Sequence, residues 1–276
     1  MLGKTIQETI MRRTAHTVIL SICFILTLTA CSNSPTGRNQ LLLFSGNQMA
    51  DLGQRSFEEM KQSQPISQDK AVNTYVQCVT QAILKVVPPQ SNFSEWEVVV
   101  FDSEQVNAFA LPGGKVGVYT GLLNVAETPD QLAAVIGHEI GHVLADHSNE
   151  RLSRSQLAAL GLTVTGMSLS DSPHAAMAMA GLGLGVQVGI LLPYNRAQES
   201  ESDKIGLQLM HQAGFNPSAS VDLWRNMAKA SDGAPPELLS THPSPNTRIK
   251  ALESGVSHLP NVPHRMTAQC QRPRTN

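Results

Sequence analysis

Apolar residues return at helical spacing over two early stretches, Ser45 to Gln62 and Ser67 to Val86. The second carries Val72, Tyr75, Val76, Val79 and Ile83 on one face, and Pro88-Pro89 stops it. The period then changes. Trp96 to Phe101 is β-branched and aromatic, Lys115 to Tyr119 alternates, and Pro112-Gly113-Gly114 reads as a turn between them, which predicts two or three strands. Thr128-Pro129-Asp130-Gln131 offers a capping box with proline at the first helical position, so a helix is expected from there through Leu144 and beyond. Leu157 to Leu192 is apolar and rich in small residues. Its half from Ala175 onward carries no charge and has the length of a membrane span. The many Gly and Ala positions make that half weakly hydrophobic, which suits a tightly packed interior helix better. Two last helical patterns cover about 195–212, closed by Gly214, and 217–230. No internal repeat is present. The fold expected is α+β: mainly helical, with one small β-sheet.

Ahead of these elements the chain reads as an address. Met11-Arg12-Arg13 is positive, Val18 to Leu28 is apolar, and Leu28-Thr29-Ala30-Cys31 follows. These features resemble a bacterial lipobox. The resemblance implies that residues 1–30 are a signal peptide cleaved before Cys31, that the Cys31 thiol receives a lipid, and that the mature chain sits in the periplasm. Ser32 after the Cys implies delivery to the outer membrane. The apolar run is short of the ~20 residues a spanning helix needs. Met11 is an alternative start to Met1. Segment 31–44, polar at first and carrying Pro35 and Gly37, reads as a tether between lipid and folded body. Segment 45–90 reads as a helical layer in front of the part that follows.

Charge and cysteine content narrow the setting. Twenty Lys and Arg stand against 22 Asp and Glu, with no block of either sign to track a phosphate backbone, which excludes a nucleic-acid partner. Of four Cys, Cys23 leaves with the signal and Cys31 is lipidated. Cys78 and Cys270 remain, an even pair that in an oxidising compartment reads as one disulfide tying the C-terminal tail to an early helix. The alternative is a buried Cys78 and a loose Cys270 in a Pro-rich tail.

The chemistry is concentrated in His138-Glu139-Ile140-Gly141-His142, the H-E-x-x-H pattern of zinc metalloproteases. Residues four apart share a helix face, so both imidazoles reach one ion while Glu139 sits beside it as general base. The expected domain is therefore zincin-type, with one Zn2+ per chain and an active-site helix carrying the motif. A catalytic zinc site needs a third protein ligand and an open fourth position. Glu199 and Asp203, one helical turn apart, offer a ligating carboxylate and a second one able to fix the tautomer of a bound His. Glu201 falls on a different face. His147, five residues past His142, also lies off the ligand face and reads as a structural hydrogen bond or cap. No G-x-S-x-G elbow is present, and no Cys neighbours a suitable His, so acyl-enzyme chemistry has no support.

The order of motifs carries a resemblance. Asn107-Ala108-Phe109-Ala110 with Pro112-Gly113-Gly114, then the histidine motif, then Glu199-x-Glu201-x-Asp203, then Thr241-His242-Pro243-x-Pro245-x-x-Arg248, together resemble the metallopeptidase family of the HtpX heat-shock protease and the CAAX prenyl proteases. The match covers about Trp96 to Leu252 and is closest to the periplasmic branch that includes the β-barrel-assembly-enhancing proteases. The resemblance implies metal on His138, His142 and Glu199, with Asp203 as an assisting catalytic acid. It also implies protein substrates, misfolded envelope or outer-membrane proteins among them, with the membrane reached through the lipid. The metallopeptidase domain then covers 91–257 and a tail 258–276, without the tetratricopeptide repeats of that branch. Ser202 departs from the usual Ala, a small change expected to be tolerated by solvent. The edge strand Asn107, Ala108 and Phe109 is a candidate substrate strand, with a simple hairpin turn as the alternative. His242 lies between prolines that stiffen its loop. It reads as a fourth zinc ligand that makes the resting enzyme latent, as an oxyanion donor, or as a packing residue. A second function stays open: an outer-membrane assembly factor or chaperone whose proteolysis is minor or latent.

Overall fold

A computed structural model describes residues 31–169, 177, 179–180, 182, 192–229, 238, 242, 245–260 and 269–273. The expected signal peptide, residues 1–30, lies outside them, as does most of Ala175 to Leu192. Among the described residues, no helix is long and apolar enough to cross a membrane.

The chain begins with a short antiparallel pair, β1 (Cys31–Asn33) and β2 (Asn39–Leu41). Helix α1 (Gly46–Ser63) starts at a capping box: the Gln48 amide donates to Ser45 Oγ at 3.2 Å and the Ser45 amide to Gln48 Oε1 at 2.8 Å. Helix α2 (Lys70–Leu84) is capped by Asp69, which accepts from the amides of Ala71 and Val72, so it opens three residues later than the apolar pattern alone places it.

A three-stranded sheet follows, formed by β3 (Glu97–Phe101), β4 (Ala108–Leu111) and β5 (Lys115–Tyr119) in the order β3-β5-β4. The Pro112-Gly113-Gly114 turn joins β4 to β5, both glycines in the left-handed region at φ 82° and 74°. Strand β3 lies on the far side of β5 and runs parallel to it. Strand β4 is thus an edge. Phe57 of α1 meets Phe101 and Phe109 edge-on, with ring centroids 6.2 Å apart, and Tyr119 completes this aromatic satellite of the core.

Helix α3 (Pro129–Leu144) carries the histidine motif, and its residues 129–142 are all buried. Thr128 Oγ1 accepts from the Gln131 amide, while Gln131 Oε1 accepts from the amide of Glu127, not from the cap residue itself. The helix does not run on past Leu144. Asp146 adopts φ 50°, and the chain restarts as α4 (His147–Leu169). On α4, Leu157, Leu160 and Val164 are exposed. Helix α5 (Leu192–Ala213) packs along α3, and α6 (Ala219–Lys229) and α7 (Pro245–Ser257) close the far side.

Helices α3 and α5 meet backbone to backbone. A Cβ on Gly137 would sit 3.1 Å from the Gly206 carbonyl oxygen, and one on Gly206 3.0 Å from the His138 nitrogen. One on Gly141 would sit 3.0 Å from the Ser202 carbonyl oxygen. Ser202 itself is fully buried and donates to the His138 carbonyl at 2.5 Å, so its hydroxyl is accommodated by an interhelical bond and not by solvent.

Tyr75, Val76, Val79 and Ile83 of α2, in the helical layer 45–90, pack in the same core as Leu132 and Ile136 of α3. Segment 31–44 is not a free tether. Ser34 and Gln40 are buried, Gln40 donates to the Ala145 carbonyl, and the backbone of Phe44 exchanges hydrogen bonds with Asn149. Its polar residues are matched by buried partners instead of water. At the other end, Cys270 is buried and joined to Cys78 of α2 by a disulfide, and Arg272 donates to the carbonyls of Leu123 and Glu127.

The disulfide closes a separation of 192 residues, so replacing Cys78 and Cys270 by Ser is expected to lower unfolding free energy by about 2–4 kcal/mol. Denaturant unfolding of the oxidised protein and the double variant measures this; equal midpoints would show that the bridge contributes nothing.

Candidate metal centre

His138 and His142 project from the same face of α3 as a consequence of their four-residue spacing, and Glu199 reaches them from α5. His142 Nε2 lies 3.0 Å from His138 Nε2. Glu199 Oε2 lies 3.3 Å from His138 Nε2, and its Oε1 lies 3.4 Å from His142 Nε2. His242 enters from the segment before α7, its Nδ1 2.8 Å from Glu199 Oε2 and 3.2 Å from His138 Nε2. All four side chains are buried, and one ligand atom from each falls within 4.8 Å of the others.

The network assigns the tautomers. His138 Nδ1 lies 3.0 Å from Asp203 Oδ1, so its proton sits on Nδ1 and the Nε2 lone pair faces the cluster. His142 Nδ1 lies 2.8 Å from Nδ1 of His147, whose Nε2 faces Glu201 Oε2 at 3.2 Å. His147 therefore donates to Glu201 and accepts from His142, which leaves the His142 Nε2 lone pair free as well. Two imidazole lone pairs and a carboxylate converge on one point, an arrangement that a cation relieves and that fits zinc.

The electrostatics agree. Burial opposes charge on Glu199, but His138 and His242 hold its carboxyl well below the usual range. Burial and Arg248 disfavour a charged His138, yet Asp203 and Glu199 prevail and push its pKa up to about 9, so a metal ion taken up here would displace a proton from His138 Nε2. Burial and the neighbouring His138 keep the His142 pKa well below the ordinary histidine value, so it is neutral as a ligand must be.

Asp203 accepts from Arg248 Nε at 2.8 Å and Nη2 at 2.5 Å, and despite burial Arg248 and His138 hold its pKa down. Its Oδ1, 3.0 Å from His138 Nδ1, orients that ring. Arg248, quoted in the sequence only as part of a motif, proves central. Its guanidinium stacks 3.8 Å from the Trp224 ring, reaches Glu199 Oε2 at 3.1 Å and donates to the His242 carbonyl. No helical spacing links it to the histidines, so only the tertiary fold exposes its role. Glu201 is not a ligand but the buried partner of His147, and His147 is the structural hydrogen bonder expected.

The candidate substrate strand divides. Asn107 is engaged with its surroundings, its carbonyl accepting from Tyr119 N–H and its Oδ1 from the Ala108 amide. Ala108 is buried, and the Phe109 ring lies in the aromatic satellite. What β4 offers is its backbone edge, alongside α3.

Comparison with known proteins adds the lineage. The profile of Peptidase family M48 matches residues 70–256, more than half the chain. Mitochondrial metalloendopeptidase OMA1 of Schizosaccharomyces pombe is 38% identical over 175 residues, 62% of this chain and 50% of that protein. The mitochondrial metalloendopeptidase OMA1 of Bos taurus is 33% identical over 248 residues, 85% of this chain and 47% of that one. The beta-barrel assembly-enhancing protease of Yersinia pestis is 29% identical over 214 residues, 75% and 44% respectively. The chain spans about half the length of these relatives, and their identities do not single out the periplasmic branch. Profile, ligand cluster and relatives agree that this chain belongs to the zinc metallopeptidases of Peptidase family M48.

Proposed function

We propose that the protein is a zinc-dependent endopeptidase of the bacterial envelope, anchored by a lipid on Cys31 at the outer membrane, that hydrolyses unfolded or misassembled envelope proteins. The observation that carries the enzymatic part is Glu139. Its Oε1 is buried beside the ligand cluster, 3.5 Å from His242 Nε2, and has no hydrogen-bond partner among the described residues. A buried carboxylate oxygen left unpaired is costly and is retained where chemistry uses it.

Bound zinc supplies a Lewis acid that acidifies water and polarises a peptide carbonyl. Glu139 takes the proton from water and delivers it to the leaving amine. Asp203 and His147 keep the two imidazoles in the orientation that ligation needs. An extended chain pairs with the open edge of β4. With Phe109 turned into the aromatic satellite, recognition along this edge runs through the backbone, which suits substrates of varied sequence.

His242 closes the resting site. A catalytic zinc keeps one position open, and His242 stands at that corner. The free space beside His138 and Glu139 is about 20 Å³, room for roughly one water. A peptide enters only once the His242 segment moves, so the enzyme rests latent. The same closure favours the second reading, an assembly factor whose proteolysis is rarely released. The envelope setting rests on the lipobox sequence, on a disulfide that needs an oxidising compartment, and on likeness to proteins named for β-barrel assembly.

Glu139→Gln is expected to abolish hydrolysis of β-casein while zinc stays near one per chain. Activity above a few per cent of wild type would remove Glu139 from the role of base. His242→Ala is expected to digest casein faster than wild type with zinc retained. A loss of ~10²-fold would instead make His242 an oxyanion donor, and no change would leave it a packing residue. Cys31→Ala is expected to block fatty-acid labelling and release from the membrane fraction is expected with it; label retained in the variant would sink the anchor.

A further inference from the structure

Glu201 lies between the two metal-site carboxylates of α5 in sequence, yet it points elsewhere. It is 4% exposed, and each of its oxygens is engaged. Oε1 accepts from Ser34 Oγ and, at 2.5 Å, from Thr36 Oγ1; Oε2 accepts from Arg38 Nε at 2.7 Å and from His147 Nε2 at 3.2 Å. Three of these four donors belong to one five-residue turn of the segment that follows Cys31. That turn is preformed: the Gly37 amide donates to the Ser34 carbonyl, the Ser34 amide to the Arg38 carbonyl, and Gly37 takes φ 86°, a conformation that suits glycine.

Arg38 is fixed from its other end. Its Nη1 and Nη2 donate to the two oxygens of Glu150 at 2.8 and 2.7 Å, and Gln198 Nε2 donates to Glu150 Oε2 at 2.8 Å. A forked guanidinium pair of this kind fixes orientation as well as charge. Burial opposes ionisation of Glu150, but Arg38 and Gln198 hold its pKa down to about 2. Arg38, Glu150 and Glu201 thus form a compensated buried network on the side of His147 away from the ligands.

His147 is the bridge between that network and the metal site. Fully buried, it has Glu201 on Nε2 and His142 Nδ1 at 2.8 Å from its Nδ1. The Glu201 carboxylate keeps the His147 proton on Nε2, so His147 Nδ1 accepts from His142 and the His142 Nε2 lone pair faces the cluster. Without a carboxylate at Nε2, either tautomer of His147 is accessible. The one protonated at Nδ1 confronts His142 with a donor and drives the His142 proton onto the ligating nitrogen.

We propose that the turn Ser34–Arg38 is the outermost layer of the zinc site, and that Arg38 is a positioning residue for His142, acting through Glu201 and His147. The proposal rests on the zinc reading of the ligand cluster. It makes the segment immediately after the expected lipid-bearing Cys31 a functional part of the metal centre.

The test is zinc affinity, measured by competition with a chelator on the mature full chain, alongside denaturant unfolding of each protein in excess EDTA. Wild type is expected to bind one zinc; failure there would overturn the zinc reading itself, separately from the role of the Ser34–Arg38 turn. Arg38→Ala and His147→Phe are each expected to weaken zinc binding by about 10-fold or more, the usual effect of losing a partner behind a ligand. The double variant is expected to be little weaker than the worse single one, because both act along one route. Effects on affinity that simply add would overturn the route, and an unchanged affinity in Arg38→Ala would overturn the proposal. Should either variant lack a cooperative unfolding transition, Glu201→Gln, which keeps the volume and one acceptor, takes its place. Weakened zinc binding with the fold retained supports the chain of contacts, and wild-type affinity in that variant overturns it.

Discussion

The metal centre depends on how closely two helices approach. Glutamate and aspartate side chains are short, and Glu199 and Asp203 reach the imidazoles of α3 only because α5 lies against it at three glycines, close enough for Ser202 to bond across. Gly137 and Gly141 on one helix and Gly206 on the other make that contact, each at a point where a methyl group would meet opposing backbone at 3.0 to 3.1 Å. Ser202 adds an interhelical hydrogen bond at the same seam. Interiors packed at crystal-like density do not yield easily to an added methylene. The seam is therefore a geometric constraint on the ligands, and the spacing of histidines along α3 has meaning only once it is satisfied.

Around that seam the polar groups are arranged in layers, each answering the desolvation of the one inside it. The ligand nitrogens face inward because Asp203 and His147 occupy the opposite ring nitrogens. Asp203 is buried in turn and needs Arg248, which is stabilised over Trp224. His147 needs Glu201, and Glu201 needs the turn after Cys31. Burying an unpaired charge costs several kcal/mol, so each layer calls for the next until solvent is reached. This accounts for the number of buried charged residues in a chain of ordinary composition. Among the described residues, Glu139 Oε1 and Gln198 Oε1 are exceptions that carry no hydrogen bond.

The two chain ends are held by opposite means. The C-terminal residues 269–273 are tied by a covalent bridge to α2 and by Arg272 to backbone carbonyls. The N-terminal segment is tied by ion pairs and hydrogen bonds from Arg38, Gln40 and Phe44. His242 is held at the site by hydrogen bonds, its Nδ1 2.8 Å from Glu199 Oε2 and its backbone bonded to Leu238 and Arg248.

What the sequence determined by itself was local. The cap at Thr128, the turn at Pro112-Gly113-Gly114, and the ligand pair at a spacing of four are set by short-range backbone geometry, so they were readable in a linear chain. Glu199 was legible for the same reason, one turn from Asp203 on a periodic helix. Tertiary structure decided everything that depends on which faces meet: the parallel partner of β5, the restart of the chain at Asp146, and the docking of 31–44, whose polar residues read as solvated until buried acceptors are placed opposite them. It also decided the roles of neighbouring charges. Glu201 and Asp203 are two residues apart, and a helix turns about 200° over that interval, so one serves His147 and the other His138. Which histidine each would meet was set by the packing of α3 against α5, a contact between residues some sixty positions apart that no local pattern encodes.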